Sequence, residues 1–146
     1  MAVTGLINGQ LPMQACNKEF DWVSDSGVAQ MLTAASFDQD TWDYQDHVVN
    51  EHGSTNGYTI GGLALAGRTI GYTAGTNVTK LDCDDPVWTA TGTLTGRECI
   101  FVDTQSGVAA TNPIVCAQTS SVDVSATDAE WRCQINASGL VTFTAA

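Results

Sequence analysis

Between Asp38 and His52 the chain crowds Asp38, Asp40, Asp43, Asp46 and His47, then Glu51 and His52. Carboxylates this close together can ligate calcium. A calcium loop of the EF-hand type needs a glycine midway for its sharp turn, and no glycine stands between Asp38 and His52. The stretch reads instead as a solvated, helix-capping acidic loop. A second cluster, Asp82, Asp84 and Asp85 ahead of Pro86, reads as turn formers and edge guards rather than as a metal site. The cysteines, Cys16, Cys83, Cys99, Cys116 and Cys133, are odd in number and form no Cys-x-x-Cys pair. Their even spacing lacks the close ligand pairs of a zinc site, so they read as free, buried thiols acting as small hydrophobes. His47 and His52 are the only histidines, and both lie in the acidic stretch. No Gly-x-Ser-x-Gly, no His-Glu-x-x-His and no phosphate-cradling glycine loop occurs. The expectation is a protein that is not an enzyme, with no catalytic residue, cofactor or metal assigned.

Four tryptophans remain as possible contact residues. Trp88 follows a turn and Trp131 alternates with Cys133, so both read as core. Exposed aromatics would suit a sugar platform, which keeps glycan binding open as an alternative.

Charge narrows the partners. The formal net charge is −11 with five Lys plus Arg, so the row of cations that releases counterions from a phosphate backbone is missing. Nucleic acid and anionic membrane surfaces are not expected partners. The acidity favours solubility and would suit attachment to a basic protein surface. No apolar run approaches the ~20 residues of a membrane span. The opening M-A-V-T-G-L-I-N-G-Q lacks the basic start and apolar stretch of a signal peptide, so synthesis in a cytoplasm is expected.

These residues must be held by a β scaffold. The chain of 146 residues suits one domain, and its low charged fraction of 14% is offset by threonine and glycine, which fit pleated surfaces and tight turns. Alternation predicts strands over Leu63–Tyr72, Val78–Cys83, Thr93–Asp103, Ile114–Thr119, Trp131–Asn136 and Leu140–Thr144. Asn136-Ala137-Ser138-Gly139 is placed as a tight hairpin loop joining the last two. Asp40 is placed as the cap of a short helix running to about Val48. Residues 20–37 show a helical stripe of Val28, Met31, Leu32 and Ala35 as well as a strand alternation, and periodicity alone leans to helix. Alternating apolar and polar positions in the later strands predict one buried and one solvated face. The loop Thr104–Pro113 reads as long and flexible. Residues 1–19, broken by Gly5, Gly9 and Pro12, keep no period and read as an N-terminal arm. Apolar side chains left in water are unfavourable, so the arm should lie on the domain of residues 20–146 or on a neighbour. The fold class is mainly β: an antiparallel β-sandwich or barrel with one short helix and an extended N-terminal arm.

Four phrases stand in register across residues 20–146: M-L-T-A-A-S-F-D-Q-D-T-W-D-Y, G-Y-T-I-G-G-L-A-L, K-L-D-C-D-D-P-V-W and A-S-G-L-V-T-F-T. Together they resemble a family of small β-rich structural proteins of tailed bacteriophages, of the minor head, decoration or fibre type. The resemblance implies strand rather than helix over 20–37 and a non-enzymatic role in the virion. On that footing the chain is expected to be a capsid decoration (cement) protein on the capsid exterior. It would be a homotrimer that binds and stabilises the shell of major capsid protein. The arm would reach the partner through Leu6, Ile7, Leu11 and Met13. The alternative is a glycan-binding host-attachment module on the phage head or tail, built from exposed tryptophans and the Thr104–Pro113 loop.

Overall fold

The structure is a computed structural model and describes residues 3–145. In chain order the elements are β1 (Val3–Ile7), α1 (Leu11–Cys16), β2 (Gly27–Leu32), β3 (Leu63–Ala64), β4 (Thr69–Thr73) and β5 (Val78–Asp82). They continue with β6 (Val87–Thr89), β7 (Thr93–Asp103), β8 (Ile114–Thr127), β9 (Glu130–Arg132) and β10 (Val141–Thr144). One sheet has the order β1-β8-β7-β2-β3, a second β10-β5-β4, and β6 pairs with β9. Every pairing is antiparallel. Met31, Cys99, Phe101 and Cys116 of the first sheet share one core with Leu81 and Val141 of the second and with Trp88 and Trp131 of the ribbon. The arrangement is an open sandwich, and no closed barrel forms among the described residues.

The central strands are buried on both faces. Cys99 and Phe101 of β7 enter the shared core, while Ile100 and Val102 enter a second cluster with Leu32, Ile114 and Ala117. Phe37, Trp42 and Val48, from the stretch after β2, cover that second cluster. The expectation of one solvated face therefore holds for the start of β7, Thr93–Arg97, and fails for its second half and for the first half of β8. The same burial explains why residues 20–37 read ambiguously. In β2 only Val28 is even half exposed, and a strand enclosed on both sides shows no alternation.

Three expected elements are corrected. The short helix lies at Leu11–Cys16, whereas the stretch from Asp40 to Val48 contributes a single 3-10 turn, Gln45–His47. The run Leu63–Tyr72 divides into β3 and β4, which belong to different sheets, because Gly67 turns the chain at φ +62°. The last two strands do not pair with each other. Asn136 to Gly139 is a tight turn, closed by the Gly139 N–H on the Asn136 carbonyl at 2.8 Å. Its arms go elsewhere: the Ile135 N–H donates to Asp85 Oδ1 at 2.8 Å, and the Leu140 N–H to the Leu81 carbonyl at 2.9 Å.

Candidate functional site

The N-terminal segment carries the four residues expected to meet a partner. Of the two places left open for it, the body and a neighbour, the chain takes the body. β1 adds to the edge of the first sheet, with Leu6 opposite Ala117 and Ile7 opposite Cys116 of β8. Asn8 then fixes the exit of the strand. Its fully buried amide donates to the Ile114 carbonyl at 2.8 Å and to Gln14 Oε1 at 3.1 Å, and its Oδ1 accepts the Gln10 N–H at 2.9 Å. Gln14, also fully buried, donates to the Asp43 carbonyl at 3.2 Å. Buried amides satisfied in this way hold a segment in one place.

The four expected contact residues therefore separate. Leu11 is fully enclosed in the main core and cannot reach a partner. Leu6 is half-buried. Ile7 and Met13 remain accessible, at 37% and 53% exposure. Leu6 and Ile7 also border a cavity of about 820 Å³ beneath the 131–142 segment, together with Cys99, Trp131 and Cys133.

Two carboxylates of the acidic stretch, Asp38 and Glu51, are engaged locally, whereas Asp43 Oδ1 is buried with no hydrogen-bond partner among the described residues. Asp38 Oδ1 accepts the Asp40 N–H at 2.9 Å, and Glu51 Oε1 accepts the Tyr58 hydroxyl and the Gly61 N–H, both at 2.7 Å. The hydrogen bonds of both histidine rings run to backbone. His47 Nδ1 accepts the Asp43 N–H at 3.1 Å, and His52 Nδ1 lies 2.8 Å from the Gly53 carbonyl. At the second cluster Asp82 pairs with Lys80 at 2.7 Å, and Asp85 lies 3.5 Å from Arg132. Among the described residues no group of three or more His, Cys, Asp or Glu side chains is arranged to hold a metal ion.

Two buried carboxylates escaped the sequence reading. Glu98, in mid-strand, accepts the N–H groups of Ser36 and Phe37 at 2.8 and 2.9 Å and the Thr119 hydroxyl at 2.5 Å. It clamps the covering stretch onto β7. Asp103, fully buried at the end of β7, accepts the Gln105 N–H at 3.1 Å, while its Oδ2 has no partner. Burial pushes its pKa up to about 7, against the pull of that N–H. Alternation already places Glu98 on the face of Ile100 and Val102 and Asp103 on that of Cys99 and Phe101; what the sequence does not show is that both faces are covered.

The thiols match the expectation at four positions. Cys83, Cys99, Cys116 and Cys133 are free and buried, whereas Cys16 is exposed. Burial pushes the Cys83 thiol up to about 12 and those of Cys99 and Cys116 well above the ordinary range. Cys83, Cys99 and Cys116 are therefore neutral packing groups at physiological pH.

The tryptophans offer no flat platform. Trp22, Trp88 and Trp131 are buried, and Trp42 is half-buried edge-on to Phe37. The indole N–H groups of Trp22 and Trp131 donate to the Asp82 and Val124 carbonyls, both at 2.9 Å. The Thr104–Pro113 loop is tied down as well. Its Ser106 hydroxyl donates to Asn112 Oδ1 at 2.6 Å, and the Asn112 amide donates to Gln45 Oε1 at 2.8 Å.

The apolar side chains that do reach the surface include Ile60, Ile70 and Tyr72, at 61%, 51% and 63% exposure. No family model, no curated protein and no solved structure matches this chain.

Proposed function

We propose that this chain is a structural component of a tailed bacteriophage virion, a decoration protein that attaches to the outside of the capsid and stabilises the shell of major capsid protein. The observation that carries the reading is how the chain spends the phrases on which the resemblance rests. Gly57 and Gly62 of G-Y-T-I-G-G-L-A-L sit at φ +92° and +84°, each where a Cβ would overlap backbone carbonyl oxygen, of Thr89 and Ala29 respectively. Tyr58 of the same phrase bonds to Glu51 and to the Met31 N–H and packs on Trp88. Asp82 of K-L-D-C-D-D-P-V-W pairs with Lys80 of its own strand, and Asp85 accepts the Ile135 N–H and so ties the turn after β5 to the segment after β9. Residues spent in this way serve shape, which is what a covering protein supplies.

The mechanism is mechanical. A sandwich with a net charge of −11 offers an acidic surface to a basic partner face. The exposed Ile7 and Met13 supply apolar contact from the N-terminal segment. A contact of the standard size, ~1,600 Å² in total, is enough for firm non-covalent attachment. Three copies around a local three-fold axis would span the junctions between capsid subunits. The glycan-binding alternative loses support, because its tryptophans are packed and its loop is bonded to the body.

Co-sedimentation with undecorated shells tests the reading. The protein should pellet with shells in a saturable ratio, and Met13→Asp should weaken that binding while leaving the melting temperature unchanged. Protein that stays in the supernatant at every ratio contradicts it. Truncating residues 1–13 is a poorer test, because it also removes Asn8 and Leu11 from the interior.

A further inference from the structure

The second sheet ends on an edge with none of the usual protection. β4 has one strand neighbour, β5, and all five of its residues are exposed. Edge strands of monomers are normally blunted by charge, proline or a bulge. β4 is T-I-G-Y-T, with no charge and no proline, and its register with β5 runs without interruption from Thr69 opposite Asp82 to Thr73 opposite Val78.

The geometry points to antiparallel pairing of β4 with β4 of a second copy, about a two-fold axis through Gly71. The strand is self-complementary in that register. Gly71 meets Gly71, Thr69 meets Thr73, and Ile70 meets Tyr72, an aromatic-to-β-branched pair of the kind that stabilises sheets. The face that carries these pairs also calls for a cover. Ile70 stands opposite Leu81, and Leu81 stands opposite Val141. Along that row exposure runs from 2% at Val141 and 3% at Leu81 to 51% at Ile70. The apolar row is packed at two strands and left open at the third. Pairing extends it through Tyr72 of the second copy and joins the two three-stranded sheets into one. Gly71 at the dyad leaves room, since a Cβ there would meet nothing within 4 Å. The contact is two-fold and independent of capsid binding. On a shell it would link neighbouring trimers.

Two experiments on the full chain decide it. With the three-fold assembled only on the shell, the free protein should show a monomer–dimer equilibrium in sedimentation, and Ile70→Lys with Tyr72→Lys should weaken it about tenfold or more with the melting temperature unchanged. Oxidation of Gly71→Cys in a Cys16→Ser background should give a covalent dimer, because directly opposed antiparallel residues lie within disulfide reach. Gly75→Cys, in the hairpin turn and far from its own mate in this register, should not. A monomer at all concentrations overturns the inference. So does a dimer that survives both lysines, or cross-linking that is equal at positions 71 and 75.

Discussion

Gly61 and Gly62 are neighbours with the same backbone sign, φ +98° and +84°, yet they differ in what surrounds them. A Cβ on Gly61 would meet nothing within 4 Å, whereas one on Gly62 would run into the Ala29 carbonyl and the Gln30 side chain. Gly61→Ala should therefore cost about 1 kcal/mol, the left-handed backbone alone. Gly62→Ala should cost on the order of 3 kcal/mol, because β2 must move as well. Denaturant titration of the two variants separates these contributions. Asp103 gives a pH dependence with a definite sign. Its folded pKa of about 7 stands above the ordinary 3.8, so the folded state holds the proton more tightly. The stability it contributes is complete below about pH 4 and is lost as pH rises to about 7. Asp103→Asn should remove that part of the pH dependence, so that thermal melts of the two proteins diverge towards neutral pH in favour of the variant. Parallel melting curves from pH 4 to 8 would contradict this.

Strands and helices show which parts of the chain act as one unit. Leu11→Ala should cost about 2–5 kcal/mol, the usual range for a fully buried leucine, whereas Met13→Ala should lie within about 0.5 kcal/mol of neutral. Equal, small effects at both sites would mean that the N-terminal segment is loosely held after all. Glu98→Ala should cost on the order of 3 kcal/mol, since it strands the N–H groups of Ser36 and Phe37. Where the sequence was legible, local chemistry and fold agreed. β7 occupies the expected Thr93–Asp103, and β5 begins at Val78 as alternation placed it. Asn136 to Gly139 turned as its residue types require, but the partners of the flanking residues Ile135 and Leu140 are Asp85 and Leu81, fifty and more residues away in sequence. The helix at Leu11–Cys16 is too short for a 3.6-residue period to register. β8 extends well beyond Thr119 because its second half, Val124 to Thr127, pairs with the start of β7 after a bulge. Of the four expected contact residues, Ile7 and Met13 kept accessible positions, because burial at the scale of one side chain is set by the packed body and not by the local pattern.

At the scale of the molecule, the sandwich encloses its tryptophans and four of its thiols and turns an acidic exterior outward. Within its carboxylate clusters, Asp38, Glu51 and Asp85 accept backbone N–H groups of turns and connecting segments. On the proposed reading this body acts by contact, and contact with a shell would have a mechanical consequence. Shells lacking this protein, heated with and without it, give the most direct test. The account predicts that added protein raises the rupture temperature in a saturable way and remains on the surviving particles. An unchanged rupture temperature, with the protein left free in solution, would contradict it.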